Sequence, residues 1–128
     1  MKKLLIILSF SLLMAQDIAT YYKIDIEAIK ISLNFSKKKL NCLKNDCPLK
    51  ELYNIDEQRQ KKIEKLYAKY NTTPSKQIGF YTNHKKEAIK YYEHNETLQK
   101  LYQNLQEERE LINNQIKTLM ENKNETSN

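Results

Sequence analysis

The sequence predicts an all-helical protein, and three observations support this prediction. The 128 residues include one glycine and two prolines, so residues that form turns are scarce. Lysine, glutamate, glutamine and leucine, which lose little rotamer freedom in a helix, are abundant. Apolar residues between positions 83 and 120 recur every seven residues, as in a helix that packs along its length. We therefore expect a signal peptide followed by one domain, residues 16–120, that forms a three-helix antiparallel bundle or a long helical hairpin.

Residues 1–15 are predicted to be a signal peptide that is cleaved. Lys2 and Lys3 provide the positive start, Leu4 to Met14 form an apolar run with two serines, and Ala15 supplies a small residue at the cut. The apolar run is well short of the roughly 20 residues that a membrane-spanning helix needs. We therefore expect a periplasmic or secreted protein with no membrane span after cleavage.

The first predicted helix covers about residues 17–41 and carries two apolar stripes at helical spacing. The stripes consist of Tyr22, Ile26, Ile29 and Leu33 on one side, and of Ile24, Ala28, Ile31 and Phe35 on the other. A helix with two apolar sides packs between two neighbours. Because the same residues also alternate with polar ones, a short strand at 22–35 followed by a helical hairpin is the alternative.

Two further helices are predicted, at about 47–71 and 83–120. The second helix begins near Pro48, because proline is tolerated in the first turn. The third helix carries the heptad repeat and could mediate self-association. Its apolar positions are Tyr91, Leu98, Leu105, Ile112 and Leu119. The tail, residues 121–128, lacks apolar side chains and is predicted to be disordered.

Cys42 and Cys47, the two cysteines of the chain, are predicted to form a disulfide. Disulfides persist in exported proteins, and a spacing of five residues does not match the Cys-x-x-Cys motif of thiol oxidoreductases. No further cysteine or nearby histidine completes a metal site. We therefore expect a structural bridge across the turn between the first two helices, with no metal and no cofactor.

The composition argues against catalysis and against nucleic acid as a partner. The net charge is +6, and nearly all of the basic residues are lysines, which read bases and phosphates less specifically than arginine does. An exported protein also rarely meets genomic DNA. The sequence contains no glycine-rich phosphate loop, nucleophile elbow or His-Glu-x-x-His motif. We therefore expect a protein that is not an enzyme and that binds an envelope or secreted protein.

Apolar residues at a predicted loop mark a candidate contact surface for that partner. Ile78, Phe80 and Tyr81 flank Gly79 in the segment between the second and third predicted helices. Apolar side chains in a loop at the end of a bundle have few internal partners. We therefore expect these three residues to contact the partner.

Asn95 is a candidate for glycosylation. The segment Glu93-His94-Asn95-Glu96-Thr97 contains the Asn-x-Thr triplet and resembles the extended acceptor sequence of bacterial N-glycosylation, which requires an acidic residue two positions before the asparagine. Three other triplets, at Asn34, Asn71 and Asn124, lack that acidic residue.

These features together predict an exported helical interaction or structural protein of the bacterial cell envelope, such as an accessory component of a secretion or surface machine. A signal peptide followed by a small helical bundle with an apolar loop at one end resembles the plan of minor pilins of type IV secretion systems. The alternative is a periplasmic holdase-type chaperone with basic coiled-coil arms. Such chaperones open with a strand, so the conformation of residues 22–35 distinguishes the two hypotheses.

Overall fold

The computed structural model describes the backbone of residues 2–126 and the side chains of residues 18–124. Over this backbone the chain is almost entirely helical and contains no strand. The helices are α1 (Lys2–Lys44), α2 (Leu49–Lys69), α3 (Pro74–Asn83), α4 (Lys85–Glu93) and α5 (Glu96–Thr126). The predicted signal peptide, residues 1–15, lies outside the residues whose side chains are described.

The long helix α1 is the centre of the fold, with α2 and α5 as its main neighbours. α2 runs antiparallel to α1, since Asp56 near its start lies 3.5 Å from the Nζ of Lys39 and Tyr70 at its end lies 3.2 Å from Glu27. α5 runs parallel to α1. Tyr102, early in α5, bonds to Asp25, and Glu108, further along, pairs with Lys37. The short helices α3 and α4 connect α2 to α5.

The two apolar stripes of α1 are buried on different sides of the helix. On one side, α1 and the later helices form a single core of buried side chains. This core contains Ile18, Tyr22, Ile26, Leu33, Leu40, Ala88, Leu98, Leu105 and Ile112. On the other side, Phe35 lies against α2, with the Nζ of Lys62 6.0 Å from the centre of its ring. Since α1 is helical across residues 22–35, the alternative prediction of a strand there is wrong.

The heptad positions of the predicted third helix are used within the chain. Leu98, Leu105 and Ile112 are buried in the core that α1 shares, and Tyr91 and Leu119 pack against it. This face of the helix is therefore covered by α1.

The predicted third helix, 83–120, is divided in the structure. α4 ends at Glu93, and His94 caps it by donating its backbone N–H to the carbonyl oxygen of Lys90. Asn95 then begins α5, because its Oδ1 accepts the backbone N–H of Leu98 at 3.0 Å. α5 continues to Thr126, so the helix extends through most of the segment that the sequence predicts as a tail.

The segment between the second and third predicted helices is also helical. α3 begins at Pro74, preceded by Thr73, whose hydroxyl oxygen accepts the backbone N–H of Lys76 at 3.2 Å. The expectation that Ile78 to Tyr81 form a loop is therefore wrong. A threonine cap followed by proline is a strong helix start, and it outweighs the cost of about 1 kcal/mol that Gly79 imposes within the helix.

The turns at both ends of α2 use left-handed residues that are not glycine. Asp46 and Asn71 have φ angles of 51° and 52°. Asparagine and aspartate tolerate this conformation better than other non-glycine residues do, because their short polar side chains can bond locally. A chain with one glycine thus makes two tight helix connections without using it.

Among the helices whose side chains are described, none is both long enough and apolar enough to cross a membrane.

Candidate functional site

The three residues predicted to contact a partner have different environments. Ile78, on α3, is 69% exposed. Phe80 and Tyr81, also on α3, stack on the ring of Tyr21 from α1, with ring centres 5.7 and 5.8 Å away. Two of the three predicted contact residues thus hold α3 against α1, and Ile78 alone of the three is exposed.

Aromatic side chains from α1, α3, α4 and α5 gather at one end of the helices. We call this group the tyrosine cluster; it consists of Tyr21, Tyr22, Phe80, Tyr81, Tyr91, Tyr92 and Tyr102. The ring of Tyr22 is central to it. That ring stacks on Tyr91 with centres 5.5 Å apart, and it meets the edge of Tyr102 at 6.1 Å. Such offset and edge-to-face contacts contribute about 0.5–1.5 kcal/mol each beyond the burial of area.

Two hydroxyl groups fix the cluster in place. The hydroxyl of Tyr22 donates a 2.6 Å hydrogen bond to the carbonyl oxygen of Ala88, a fully buried residue of α4. The hydroxyl of Tyr102 donates a 2.7 Å hydrogen bond to Oδ2 of Asp25 on α1. Both rings are therefore held by packing at one end and by a directed bond at the other.

A cleft of about 460 Å³ opens on the outer side of the cluster; we call it the tyrosine cleft. Its lining residues are Tyr22, Asp25, Tyr81, Ile89, Tyr92, Glu93, Tyr102 and Gln106. These eight residues include two carboxylates and no basic side chain. The cleft is therefore acidic and aromatic on a chain whose net charge is +6.

The hydroxyls of Tyr21, Tyr22 and Tyr102 remain protonated over the physiological range, because the pKa of each is raised. Burial, followed by the negative charge of Asp25, raises the pKa of Tyr21 to about 12. Burial and the hydrogen bond to Asp25 also raise the pKa of Tyr102. Burial also raises the pKa of Tyr22. The negative charge of the cleft thus comes from its carboxylates, and the rings of Tyr22 and Tyr102 are neutral.

The predicted disulfide is present. Cys42, at the end of α1, is bonded to Cys47, and their Cα atoms lie 5.1 Å apart. Glu51 of α2 lies beside the bridge, with a carboxylate oxygen 3.9 Å from the sulfur of Cys42. These three side chains are close enough together to hold a metal ion. Because both sulfurs are in the disulfide, neither offers a thiolate, so the oxidised protein does not present a metal site here.

A second groove lies at the disulfide end of the molecule, between the start of α2 and the end of α5. Its volume is about 290 Å³, and Leu43, Leu49, Leu52 and Met120 supply most of its lining. Leu49 is strongly exposed there. This groove is mainly apolar, and the charged side chain that lines it, Lys123, lies 3.3 Å from a carboxylate oxygen of Asp46. The tyrosine cleft, with two carboxylates beside aromatic rings, has the more specific chemistry.

No protein-family model matches the chain, and neither a curated protein nor a solved structure is significantly similar to it.

The sequence did not point to the central residues of the cleft. Asp25, Tyr92 and Tyr102 lie on three different helices, and their proximity depends on α5 running parallel to α1. A partial signal was available, because Tyr22 and Asp25 are three residues apart and so share one face of a helix. The high tyrosine content, nine residues, indicated edges or interfaces but not which of the rings meet.

Proposed function

We propose that this chain is an exported helical interaction protein of the bacterial cell envelope and serves as an accessory component of a secretion or surface machine. The observation that supports a binding role is the tyrosine cleft, whose lining combines ring faces with two carboxylates. Its volume falls within the range of roughly 300–1,000 Å³ that is usual for binding pockets. The proposed role is binding and does not include catalysis.

The chemistry of the cleft favours a lysine or arginine side chain of an envelope or secreted protein as the bound group. Aromatic rings attract cations through the negative potential of their faces, and this attraction contributes about 0.5–2 kcal/mol. Asp25 and Glu93 add a direct charge partner. Tyr92, 36% exposed at the mouth, offers ring surface to the incoming side chain.

The scaffold that holds the cleft is inferred to be a three-helix arrangement, in which α1, α2 and α5 alternate in direction. The antiparallel pairing of α2 with α1 and the parallel pairing of α5 with α1 support this inference. α3 and α4 then form the connection that carries two walls of the cleft.

The envelope location rests on the predicted signal peptide, residues 1–15, and on the disulfide between Cys42 and Cys47. Disulfides persist mainly in oxidising compartments outside the cytoplasm. The helical conformation of residues 22–35 in α1 counts against the chaperone alternative, which begins with a strand there.

The binding proposal is tested with two short peptides that are identical except for one position, lysine in the first and norleucine in the second. Binding to the oxidised protein is followed by the chemical shifts of the tyrosine rings. We expect the lysine peptide to bind more tightly. Asp25→Asn should weaken its binding about tenfold, equivalent to about 1.4 kcal/mol, since the amide oxygen still accepts the hydrogen bond from Tyr102 while the charge is lost.

Tyr92→Ala should weaken binding to a similar degree, because it removes an exposed ring of the cleft. Tyr53→Ala is the matched control, since Tyr53 is 66% exposed and does not line the cleft. Equal affinity for the two peptides would contradict the proposed site. So would an equal loss of affinity for the lysine peptide in Tyr53→Ala and Tyr92→Ala.

Export is tested separately. The native protein is recovered from periplasmic and cytoplasmic fractions, and its intact mass is measured. We expect a periplasmic chain that begins at Gln16. A full-length chain found in the cytoplasm would overturn the envelope assignment without affecting the result with the peptides.

A further inference from the structure

We propose that Asn95 is an N-glycosylation site, which accepts an oligosaccharide from a lipid-linked donor. The acceptor sequence Glu93-His94-Asn95-Glu96-Thr97 does not lie within a continuous helix. It spans the break between α4, which ends at Glu93, and α5, which begins at Glu96. A transferase can bind an acceptor more easily where the backbone leaves helical geometry than within an unbroken helix.

The side chain of Asn95 is oriented with its nitrogen available. Its Oδ1 accepts the backbone N–H of Leu98 at 3.0 Å and so caps α5. Its Nδ2 makes no hydrogen bond within the described part of the chain and is not among the buried polar atoms that lack a partner. Because glycosylation modifies Nδ2 and leaves Oδ1 unchanged, the modified residue can keep capping the helix.

The two residues that complete the acceptor sequence are accessible as well. Glu93, two positions before Asn95, and Thr97, two positions after it, are both exposed. Asn95 itself is half-buried, so the acceptor sequence, the break between two helices and two exposed flanking residues meet at one place.

The other three Asn-x-Ser/Thr triplets each lack at least one of these requirements. Asn34 lies within α1 and is followed by the buried Phe35. Asn71 lies in the turn after α2, but the residue two positions before it is Lys69. Asn124 lies within α5, with Asn122 two positions before it. Asn71 therefore serves as an internal comparison, since it has the exposed turn without the acidic residue.

The reaction is a simple group transfer. The amide nitrogen Nδ2 of Asn95 forms a bond to the anomeric carbon of the first sugar, and the bond between that carbon and the pyrophosphate oxygen of the donor breaks. The leaving group is the lipid pyrophosphate, and a base of the transferase accepts the proton that Nδ2 loses. The donor is a lipid-linked oligosaccharide pyrophosphate. In the cell the reaction requires export, and in this respect the inference rests on the proposed function.

The test uses the purified, oxidised full chain with a purified bacterial oligosaccharyltransferase and its lipid-linked donor, so it does not depend on export. Intact mass is expected to increase by one glycan, and peptide mapping should place that glycan on Asn95. Glu93→Gln and Thr97→Ala should each reduce occupancy of Asn95 below detection, although both leave the capping bond of Asn95 intact.

Lys69→Asp provides the positive control, because it places an acidic residue two positions before Asn71. We expect this variant to gain a second glycan, at Asn71. If the Lys69→Asp variant is modified at Asn71 while Asn95 stays unmodified, the transferase is active and the proposal is wrong. Modification of Asn95 that persists in Glu93→Gln would overturn the role assigned to Glu93.

Discussion

The hydroxyl of Tyr102 donates a 2.7 Å hydrogen bond to Asp25, which joins α5 to α1 across 77 residues of sequence. This bond contributes to the packing of the two helices and to one wall of the tyrosine cleft. Because the acceptor is a carboxylate, the bond is of the charge-assisted kind, which stabilises proteins more than neutral hydrogen bonds do.

Tyr102→Phe should lower the free energy of unfolding by about 1.5 kcal/mol, because it removes the donor and keeps the ring. Urea unfolding followed by circular dichroism measures the change. Tyr53→Phe is the control and should change stability by less than about 0.5 kcal/mol, since Tyr53 is largely exposed. Equal stability of Tyr102→Phe and the wild type would show that the bond contributes nothing.

Alkaline pH should destabilise the protein between pH 10 and pH 12. Burial and Asp25 raise the pKa of Tyr21 from 10.0 in the unfolded chain to about 12 in the folded one. The neutral form is therefore favoured by folding. The contribution of Tyr21 to the free energy of unfolding is fully present below pH 10 and is lost as the pH rises through about 12. Urea unfolding at intervals through this window, together with the ultraviolet absorbance of tyrosinate, measures the effect.

Tyr21→Phe should reduce the loss of stability across the same window, since the substituted ring does not titrate. The free energy of unfolding of this variant should still decline with rising pH, because burial also raises the pKa of Tyr22 and of Tyr67. A free energy of unfolding that stays constant from pH 10 to pH 12 would contradict this prediction.

Reduction of the Cys42–Cys47 disulfide should lower the melting temperature. In the loop-closure model, a ring this short stabilises the folded state by roughly 2 kcal/mol through its effect on the unfolded chain. Calorimetry with and without reductant measures the shift. The Cys42→Ala, Cys47→Ala double variant should melt at the lower temperature under both conditions. An unchanged melting temperature on reduction would show that the bridge does not stabilise the fold.

Substitutions on the two buried sides of α1 should both be severe. Leu33 and Phe35 are each 4% exposed, on the sides that face α5 and α2 respectively. Leu33→Ala and Phe35→Ala should each cost about 2–5 kcal/mol, because both leave a cavity. Leu111→Ala is the control, since Leu111 is 60% exposed on α5. A small effect at either Leu33 or Phe35 would mean that α1 is buried on one side alone.

Much of the fold follows from local patterns that the sequence displays. The two apolar stripes of α1 predict burial on two sides of the helix, and this prediction does not depend on which helices pack there. The spacing of Cys42 and Cys47 fits a bridge across one turn. The heptad positions Leu98, Leu105 and Ile112 identify the buried side of α5 in the same way. Each of these patterns is contained within a single helix or turn.

The features that the sequence did not reveal depend on contacts between distant residues or on weak local signals. Phe80 and Tyr81 were expected to be exposed, because the stacking surface that Tyr21 provides lies about sixty residues away in the chain. The helix break at Asn95 occurs without proline or glycine. The break arises because Asn95 caps the start of α5. Asparagine is so common in this chain that its presence alone does not identify a helix start.

The parallel relation of α5 and α1 has a consequence for the order of folding. The contact between α1 and α2 at Lys39 and Asp56 joins residues that are 17 positions apart in the sequence. The contact between α1 and α5 at Asp25 and Tyr102 joins residues that are 77 positions apart. Closing the longer loop costs about 1.3 kcal/mol more in chain entropy. We therefore expect the hairpin of α1 and α2 to form first and α5 to dock afterwards. The tyrosine cleft, which needs all of α1, α3, α4 and α5, is then completed in the last step of folding.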